Sequence, residues 1–316
     1  MADKKIIAIT GATGAQGGGL ARAVLGDPGS GFAVRALTRK PDSDKARQLA
    51  ALGAEVVAAD IDDAESVRRA FAGAHAAFCV TNFWEHFSPE RETAQAKHLA
   101  TAAHHAGVGH VVWSTFEDTR HYVPLADTRM PTLQGKYKVP HFDAKAEANH
   151  YFSDLGLPTT FLLTSFYWEN FILFGMGPKR GPDGVLAITM PLGDKKMPSL
   201  SVEDIGKFAY GLFKNPSEFA GKTVGVAAEH LTGTQMAGAM SKAFGQEVRY
   251  NAVPAEVYRS FGFPGADDLG NMFQFKADFE DVYCAHRDLA LVRRLDPTVV
   301  SFDQWLAANK GRIPIE

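Results

Sequence analysis

The chain has 316 residues, of which 46% are hydrophobic, and its formal net charge at pH 7 is -3. This length is enough for a complete nucleotide-binding domain and a smaller second region. The 33 Lys and Arg residues are balanced by 36 Asp and Glu residues, which excludes the basic excess typical of nucleic-acid-binding proteins. We therefore expect no direct nucleic-acid partner.

The cysteine content and the N-terminal sequence bear on the cellular compartment. Cys79 and Cys284 are too few for a disulfide framework, which favours a reducing compartment. Cys79 lies in an apolar run and is interpreted as a small core residue. Residues Met1–Lys5 lack the apolar core of a signal peptide, and no apolar stretch is long enough to cross a bilayer. We expect a cytoplasmic protein that does not bind membranes.

The first predicted strand is followed by a turn with three glycines. The apolar run Ile6–Ile9 lacks polar alternation, which predicts a buried strand. Gly11, Gly14 and Gly17 follow it, and an apolar stripe at helical spacing begins at Leu20. A strand, a glycine turn and a helix in this order suit the pyrophosphate of a dinucleotide. The candidate cofactor-binding residues of the turn are Gly11, Ala12, Thr13, Gly14, Ala15, Gln16 and Gly17.

The second predicted strand, Ala33–Thr38, ends where the adenosine ribose of a bound dinucleotide lies in such a fold. An Asp or Glu at that place would bind the ribose 2′-hydroxyl and select NAD. Arg39 and Lys40 stand there instead, and paired cations suit a 2′-phosphate. The residues therefore favour NADP(H) over NAD(H), and the alternative is that both are ordinary solvated charges.

The third predicted strand, Glu55–Ala59, is followed by Asp60 and Ile61, which we assign to the cofactor site. The Asp60 carboxylate could accept a hydrogen bond from adenine or from the neighbouring backbone. Asp62 or Asp63 is expected to cap the helix that follows.

The fourth predicted strand, Ala76–Val80, leads to a further set of candidates. Ligands of open parallel sheets bind beyond the carboxyl ends of the strands, so Thr81, Asn82 and Phe83 are expected to line the cofactor. The alternative for Phe83 is packing under a loop. The long helix that follows is expected to carry Glu92 on its charged face.

The fifth predicted strand, Val111–Trp113, precedes a stretch without periodicity, Glu117–Pro140. A loop of this length is commonly functional or mobile. A helix from residue 140 to about residue 155 and a strand over Leu157–Leu163 follow. Because strands and helices alternate up to this point, we predict an α/β fold with a Rossmann-type, doubly wound parallel sheet.

Beyond about residue 175 the pattern changes to short elements separated by Gly and Pro. The expected strands cover 185–190, 197–200 and 222–227, and the expected helices cover 202–213, 234–244, 255–260, 268–275, 287–295 and 302–309. This predicts a smaller mixed α/β C-terminal region that covers the cofactor cleft. We expect an NADP(H)-binding domain over residues 1–170 and the smaller domain over 171–316, interleaved at a soft boundary.

The proton-transfer pair of short-chain reductases is only half present. These enzymes usually carry Tyr-x-x-x-Lys on the helix after the fifth strand, where Lys binds the nicotinamide ribose and activates Tyr. Lys145 is present, but His141 stands four residues before it, and Tyr137 precedes the helix. His141 could donate a proton, because imidazole titrates near neutrality, or it could cap or pack the helix start. Lys145 and His141 are the catalytic candidates, and no metal is expected.

Several stretches match one known family. They are residues 11–17, 80–85, 141–145, 167–170, 197 with 201–206, and 262–273. By these stretches the chain resembles the NmrA-like family of atypical short-chain dehydrogenase/reductases over essentially its whole length, and within it the animal NADPH-sensor branch. It differs from that branch at Ala12 and Phe83, where the branch has Gly and Tyr, and in a longer loop over Glu117–Pro140.

The resemblance implies a role for each part of the cofactor site. Gly11–Gln16 would hold the pyrophosphate, Arg39 with Lys40 would hold the 2′-phosphate, and Lys145 would hold the nicotinamide ribose. The residues beside the nicotinamide would be Tyr167, Trp168, Glu169 and Asn170.

The resemblance also leaves three functions open. The first is a redox sensor that responds to the NADPH/NADP+ balance and acts on a protein partner. The second is an NADPH-dependent oxidoreductase, lacking the Tyr of Tyr-x-x-x-Lys, that reduces an apolar quinone, carbonyl or imine. The third is a regulator that contacts a protein such as a zinc-finger factor, as fungal NmrA proteins are understood to do. The partners considered are a protein whose binding follows NADPH, a small apolar substrate and a second copy of the chain.

Overall fold

The structure is a computed structural model that describes residues 4–315. Its strands are β1 (Lys5–Ile9), β2 (Phe32–Thr38), β3 (Glu55–Ala58), β4 (Ala76–Cys79), β5 (His110–Thr115), β6 (Thr159–Leu163), β7 (Phe166–Tyr167), β8 (Lys179–Arg180), β9 (Leu186–Met190), β10 (Lys196–Leu200), β11 (Thr223–Gly225), β12 (Glu229–Thr232) and β13 (Val248–Ala252). Its α-helices are α1 (Ala15–Leu25), α2 (Asp44–Ala51), α3 (Ala64–Phe71), α4 (Pro89–His105), α5 (Pro140–Glu147), α6 (Asn149–Ser153), α7 (Asn170–Leu173), α8 (Val202–Lys214), α9 (Pro216–Phe219), α10 (Gly233–Phe244), α11 (Ala255–Arg259), α12 (Ala266–Asp278), α13 (Glu280–Ala285), α14 (Leu289–Leu295) and α15 (Phe302–Asn309).

The contacts between residues divide the described chain into two units. Unit 1 consists of residues 4–118, 141–164 and 202–224, and unit 2 consists of residues 119–140, 165–201 and 225–315. The chain thus enters each unit three times. No α-helix within residues 4–315 is both long enough and apolar enough to span a membrane.

Unit 1 is built on a seven-stranded sheet with the order β11-β6-β5-β4-β1-β2-β3. Strands β1 to β6 pair in parallel, and β1 lies between β4 and β2, with Ile7 opposite both Ala76 and Val34. The strand order reverses between β1 and β4, which is the switch point where doubly wound sheets bind ligands. The predicted Rossmann-type sheet is therefore confirmed.

The core of unit 1 explains why these strands read as apolar runs. Ala8, Cys79 and Trp113 lie in one buried cluster with residues from helices α3 and α4, so Cys79 is indeed a small core residue. Trp113 stacks on Phe152 with ring centroids 4.9 Å apart, and its indole N–H donates to the Asn149 side chain at 2.9 Å. The helix predicted to run from residue 140 to about residue 155 is instead two helices, α5 and α6, and α6 starts at this anchored asparagine.

Unit 2 contains two three-stranded sheets with the orders β12-β10-β7 and β13-β9-β8. Each sheet contains one antiparallel and one parallel pairing, so the expected mixed α/β region is confirmed. Short strands such as β7 and β12 were not predicted from the sequence, because they pair with partners more than twenty residues away and carry little alternation of their own.

The long loop that includes Glu117–Pro140 is tied to helix α12 within unit 2. The buried Asn271 side chain donates to the carbonyl oxygens of Pro131, at 2.9 Å, and Lys138, at 2.6 Å. Gln274 donates to the carbonyl of Arg129 at 2.9 Å, and the loop's own Lys138 ammonium donates to the carbonyl of Met130 at 2.7 Å. The loop therefore has a defined conformation fixed by side chains of a later helix.

Candidate functional site

The glycine turn after β1 has the geometry that the sequence predicted. Gly11 has φ +58°, in the left-handed region that glycine adopts most easily, and this allows the sharp turn. A Cβ atom on Gly17 would lie 2.5 Å from the Thr10 carbonyl oxygen, so only glycine lets α1 pack this closely on the strand. No side chain caps the start of α1, whose N-cap residue is Gly14. The first turn of α1 therefore presents backbone N–H groups suited to an anion.

The two cations after β2 have different surroundings. Arg39 Nη2 donates to Glu85 Oε1 at 2.7 Å, and both side chains are about half exposed, 52% for Arg39 and 42% for Glu85. The Lys40 backbone N–H donates to the Thr38 hydroxyl at 3.1 Å. Within residues 4–315 the exposed Lys40 ammonium has no hydrogen-bond or ion-pair partner. Of the two residues predicted to bind the phosphate, Lys40 is therefore available, whereas Arg39 already binds the Glu85 carboxylate.

The acids after β3 separate into three roles. Asp60 accepts a hydrogen bond from the Asp62 backbone N–H at 3.0 Å, which is the backbone alternative left open for it. Asp63 caps α3 by accepting from two backbone N–H groups. Asp62 does not cap the helix: it accepts from Arg91 and Gln95 of α4, and the Arg91 guanidinium lowers the pKa of Asp62 to about 2.

A buried ion pair lies beyond the end of β4. Lys145 Nζ lies 2.6 Å from Glu92 Oε1 and donates to the Thr81 hydroxyl at 2.5 Å and the Thr81 carbonyl at 3.1 Å. The Thr81 hydroxyl in turn donates to Glu92 Oε1 at 2.6 Å. These contacts can engage all three ammonium protons. The sequence predicted that Glu92 lies on a solvated, charged helix face. This prediction is wrong, because Glu92 is completely buried at 0% exposure.

The electrostatics of this cluster favour an ionised Glu92. Burial alone would raise the pKa of the carboxyl, but the Lys145 cation and the hydrogen bonds outweigh it and lower the pKa of Glu92 to about 2. His86 also faces the carboxylate, with Nε2 3.4 Å from Glu92 Oε2. Thr81, His86, Glu92 and Lys145 are called the Glu92 cluster below.

His141 lies in aromatic surroundings at the start of α5. The residue is 5% exposed, and the centroid of its ring lies 4.7 Å from that of Trp84 and 6.0 Å from those of Phe83 and Phe116. The Phe83 ring is buried in this group, which agrees with the packing alternative for it. The packing interpretation of His141 therefore has direct support, whereas its catalytic role stays a prediction.

Two buried hydroxyl groups stand at the carboxyl end of β5. Ser114 and Thr115 are 1% and 0% exposed, and neither hydroxyl has a hydrogen-bond partner within the described range. A buried polar group without a partner is costly, so these two hydroxyls are candidates for contact with a bound molecule.

The residues predicted to lie beside the nicotinamide belong to unit 2. Trp168 is completely buried, and its ring lies near those of Phe302 and Trp305. Glu169 Oε1 accepts hydrogen bonds from Ser201 and Trp305, each at 2.9 Å. Tyr167 and Asn170 are partly exposed. Contact of these four residues with a cofactor stays a prediction.

In unit 1 the structure brings most sequence-predicted residues to the carboxyl edge of the sheet. The residues at or just after the strand ends are Gly11, Ala12 and Thr13 after β1, Arg39 and Lys40 after β2, Asp60 and Ile61 after β3, and Thr81, Asn82 and Phe83 after β4. Sequence reasoning missed Glu85 and the true place of Glu92. A signal for Glu92 existed, because it shares a helical face with the buried Gln95, Ala96 and Leu99.

The sheet order, the parallel pairing and the glycine turn before α1 define a Rossmann-type α/β protein. Residues 3–303 match the model of the NmrA-like family, and the chain belongs to that family. It is 32% identical over 292 residues to an NmrA-like family domain-containing oxidoreductase, lnbB, of Aspergillus flavus, covering 87% of this chain and 84% of the relative.

Solved structures of similar fold include complexes with nicotinamide dinucleotides. NmrA, described as a negative transcriptional regulator, has a structure in complex with NADP that is 25% identical, has a TM-score of 0.78 and covers 96% of this chain and 94% of that one. A further NmrA structure is a complex with NAD. Citrobacter triphenylmethane reductase, complexed with NADP(H), has a TM-score of 0.74 at 20% identity and covers 96% of this chain and 99% of that one, which supports the fold alone.

Proposed function

We propose that the chain binds NADP(H) at the carboxyl edge of the unit 1 sheet and acts as a sensor of the NADPH/NADP+ balance. The glycine turn suits a pyrophosphate, and the cations Arg39 and Lys40 suit a 2′-phosphate. NmrA, which has a structure in complex with NADP, supports the same type of cofactor. A cytoplasmic location, where both forms of the cofactor circulate, is part of this proposal.

The observation that carries the sensor role is the chemistry around Lys145. The Tyr that reductases place four residues before Lys is here His141, whose ring is enclosed by the rings of Trp84, Phe83 and Phe116. Lys145 is held by Glu92 and Thr81 rather than by a phenol. The group that would hold the nicotinamide ribose is kept, and the phenol that would transfer the proton is absent.

An oxidoreductase acting on an apolar acceptor is the second candidate. The relative lnbB is named an oxidoreductase, and the unpartnered hydroxyls of Ser114 and Thr115 could donate to an acceptor oxygen. When bound, the nicotinamide supplies a hydride. A quinone, carbonyl or imine that takes the hydride first could then be protonated by water. Fold likeness alone does not decide between these candidates.

Calorimetric titration with NADPH, NADP+, NADH and NAD+ tests the cofactor assignment. We expect the two phosphorylated forms to bind more tightly, and Lys145→Met to weaken NADPH binding. Lys97→Met, on the exposed face of α4 in the same unit, is the matched control and should bind as the wild type does. Absence of NADPH binding, or tighter binding of NADH, would contradict the proposal.

Turnover and partner binding distinguish the sensor from the enzyme. The purified protein is incubated with NADPH and a panel of quinones, carbonyls and imines, and NADPH absorbance is followed. Steady oxidation at ordinary enzyme rates, roughly 1 s⁻¹ or faster, would favour the oxidoreductase. Affinity that differs between NADPH and NADP+, without oxidation, would favour the sensor. A protein partner, or a second copy of the chain, should then bind differently in the two cofactor states.

A further inference from the structure

Arg39 is already paired with an acid of its own unit. Its guanidinium donates through Nη2 to Glu85 Oε1 at 2.7 Å, and within the described chain this is its one ion pair. Glu85 ends a 3-10 turn over residues 83–85, where its backbone N–H donates to the Asn82 carbonyl at 3.2 Å. The backbone of Glu85 is thus fixed, while its half-exposed side chain can rotate into solvent.

We infer that Glu85 determines how strongly this chain selects phosphorylated cofactors, because its carboxylate competes with the 2′-phosphate for Arg39. This inference rests on the proposed NADP(H) site. Guanidinium groups bind phosphate and carboxylate oxygens through the same N–H groups. Only Nη2 of Arg39 donates to Glu85, so a 2′-phosphate that binds Arg39 competes with the carboxylate for that part of the guanidinium, and two anions held side by side there repel each other.

The competition affects the two cofactor types differently. The 2′-phosphate of NADPH competes with Glu85 for Arg39, whereas NADH carries a 2′-hydroxyl and can leave the ion pair intact. Lys40 has no such competitor within residues 4–315. The chain should therefore discriminate between NADPH and NADH less strongly than two adjacent cations would suggest, and removal of the Glu85 charge should increase the discrimination.

The test compares Glu85→Gln with Glu55→Gln. Glu55 pairs with Arg35 at 2.7 Å in the same unit, so the control removes the same charge from a similar ion pair away from the predicted phosphate. Dissociation constants of NADPH, NADH and 2′,5′-ADP are measured by calorimetry at low and high salt. In Glu85→Gln, the preference for NADPH over NADH should rise about two- to fivefold at low salt, as expected for a half-exposed ion pair. The affinity for 2′,5′-ADP, which carries the same 2′-phosphate, should also rise in Glu85→Gln. Both increases should become smaller at high salt.

A second background separates competition from simple repulsion. In Arg39→Gln the preference for NADPH should fall, and adding Glu85→Gln should then change it little. An unchanged preference in Glu85→Gln, or an increase that persists without Arg39, would overturn the inference. Wild-type protein that binds no NADPH would instead overturn the proposed function, on which the inference rests. If the melting curve of each variant overlaps that of the wild type, a change in cofactor preference does not come from a loss of folded protein.

Discussion

The clearest consequence of the Glu92 cluster is that replacing its carboxylate should destabilise the protein. Glu92→Gln keeps the shape but removes the charge 2.6 Å from Lys145 Nζ, which leaves a buried ammonium without its counterion. Breaking a buried ion pair by removing one partner costs about 3–5 kcal/mol. The pKa of Glu92 gives a similar magnitude, because a fall from 4.5 to about 2 on folding corresponds to about 3 kcal/mol.

The sign of the pH dependence follows from the lowered pKa. Because the pKa of Glu92 is lower in the folded chain, at pH values between about 2 and 4.5 the unfolded chain binds a proton at this carboxyl that the folded chain does not bind. The contribution of Glu92 is therefore fully present above the unfolded pKa of 4.5 and is lost as the pH falls toward about 2. Glu92→Gln has no such contribution to lose. The difference in unfolding free energy between wild type and variant should narrow by about 1 kcal/mol between pH 7 and pH 3.5.

Urea denaturation at a series of pH values measures this difference. Glu90→Gln, on the exposed face of the same helical turn, is the matched control and should stay within about 0.5 kcal/mol of the wild type. If Glu92→Gln behaves like Glu90→Gln at pH 7, the pair is not the buried, coupled interaction described here. A difference that stays constant down to pH 3.5 would refute the assignment of an ionised Glu92.

Three further predictions concern single sites. Gly17→Ala brings a Cβ atom to 2.5 Å from the Thr10 carbonyl oxygen and should lower the free energy of unfolding by at least about 1–3 kcal/mol. Gly31→Ala, which has open space around its Cβ atom, is the control and should not, and thermal melting compares the two variants. Asn271→Ala leaves two loop carbonyls without their donor and should lower the free energy of unfolding by about 1–3 kcal/mol. Hydrogen exchange in residues 122–139 should become faster, and unchanged exchange would contradict the anchoring of the loop. Thr115→Val removes a buried hydroxyl that has no partner in the described chain, so stability should be equal or higher, and a clear loss would mean that the hydroxyl is bonded.

The parts of the fold that the sequence predicted best are those that local chemistry determines. Helix α3 begins where the sequence predicted, because Asp63, one of the two expected caps, caps its first turn. Helix α15 also has the predicted bounds, and there Ser301 and Gln304 form a capping box. Strands β1 to β6 were each found to within two residues, and for the fully buried strands β4 and β5 the reason is that buried parallel strands are continuous apolar runs.

The parts that could not be predicted depend on contacts distant in sequence. Strand β12 exists because it pairs with β10, about thirty residues earlier, and its own residues show no clear alternation. The helical face of α4 could have indicated the burial of Glu92, but its ion-pair partner is a lysine more than fifty residues later, which the sequence did not indicate. The Arg39–Glu85 pair likewise joins the ends of two strands that are not consecutive in the chain.

These two acids lie close together in the sequence, on the stretch that follows β4. Glu85 holds the cation proposed for the 2′-phosphate, and Glu92 holds the cation proposed for the nicotinamide ribose. A ligand at Arg39 would compete with Glu85, and a ligand at Lys145 would compete with Glu92 and Thr81. The glycine turn can present an anion site in many Rossmann-type proteins, whereas residues 81–92 of this chain contain the two acids that pair with both cations. Differences between this chain and other members of the family in cofactor preference should therefore follow substitutions in this stretch more closely than substitutions in the turn.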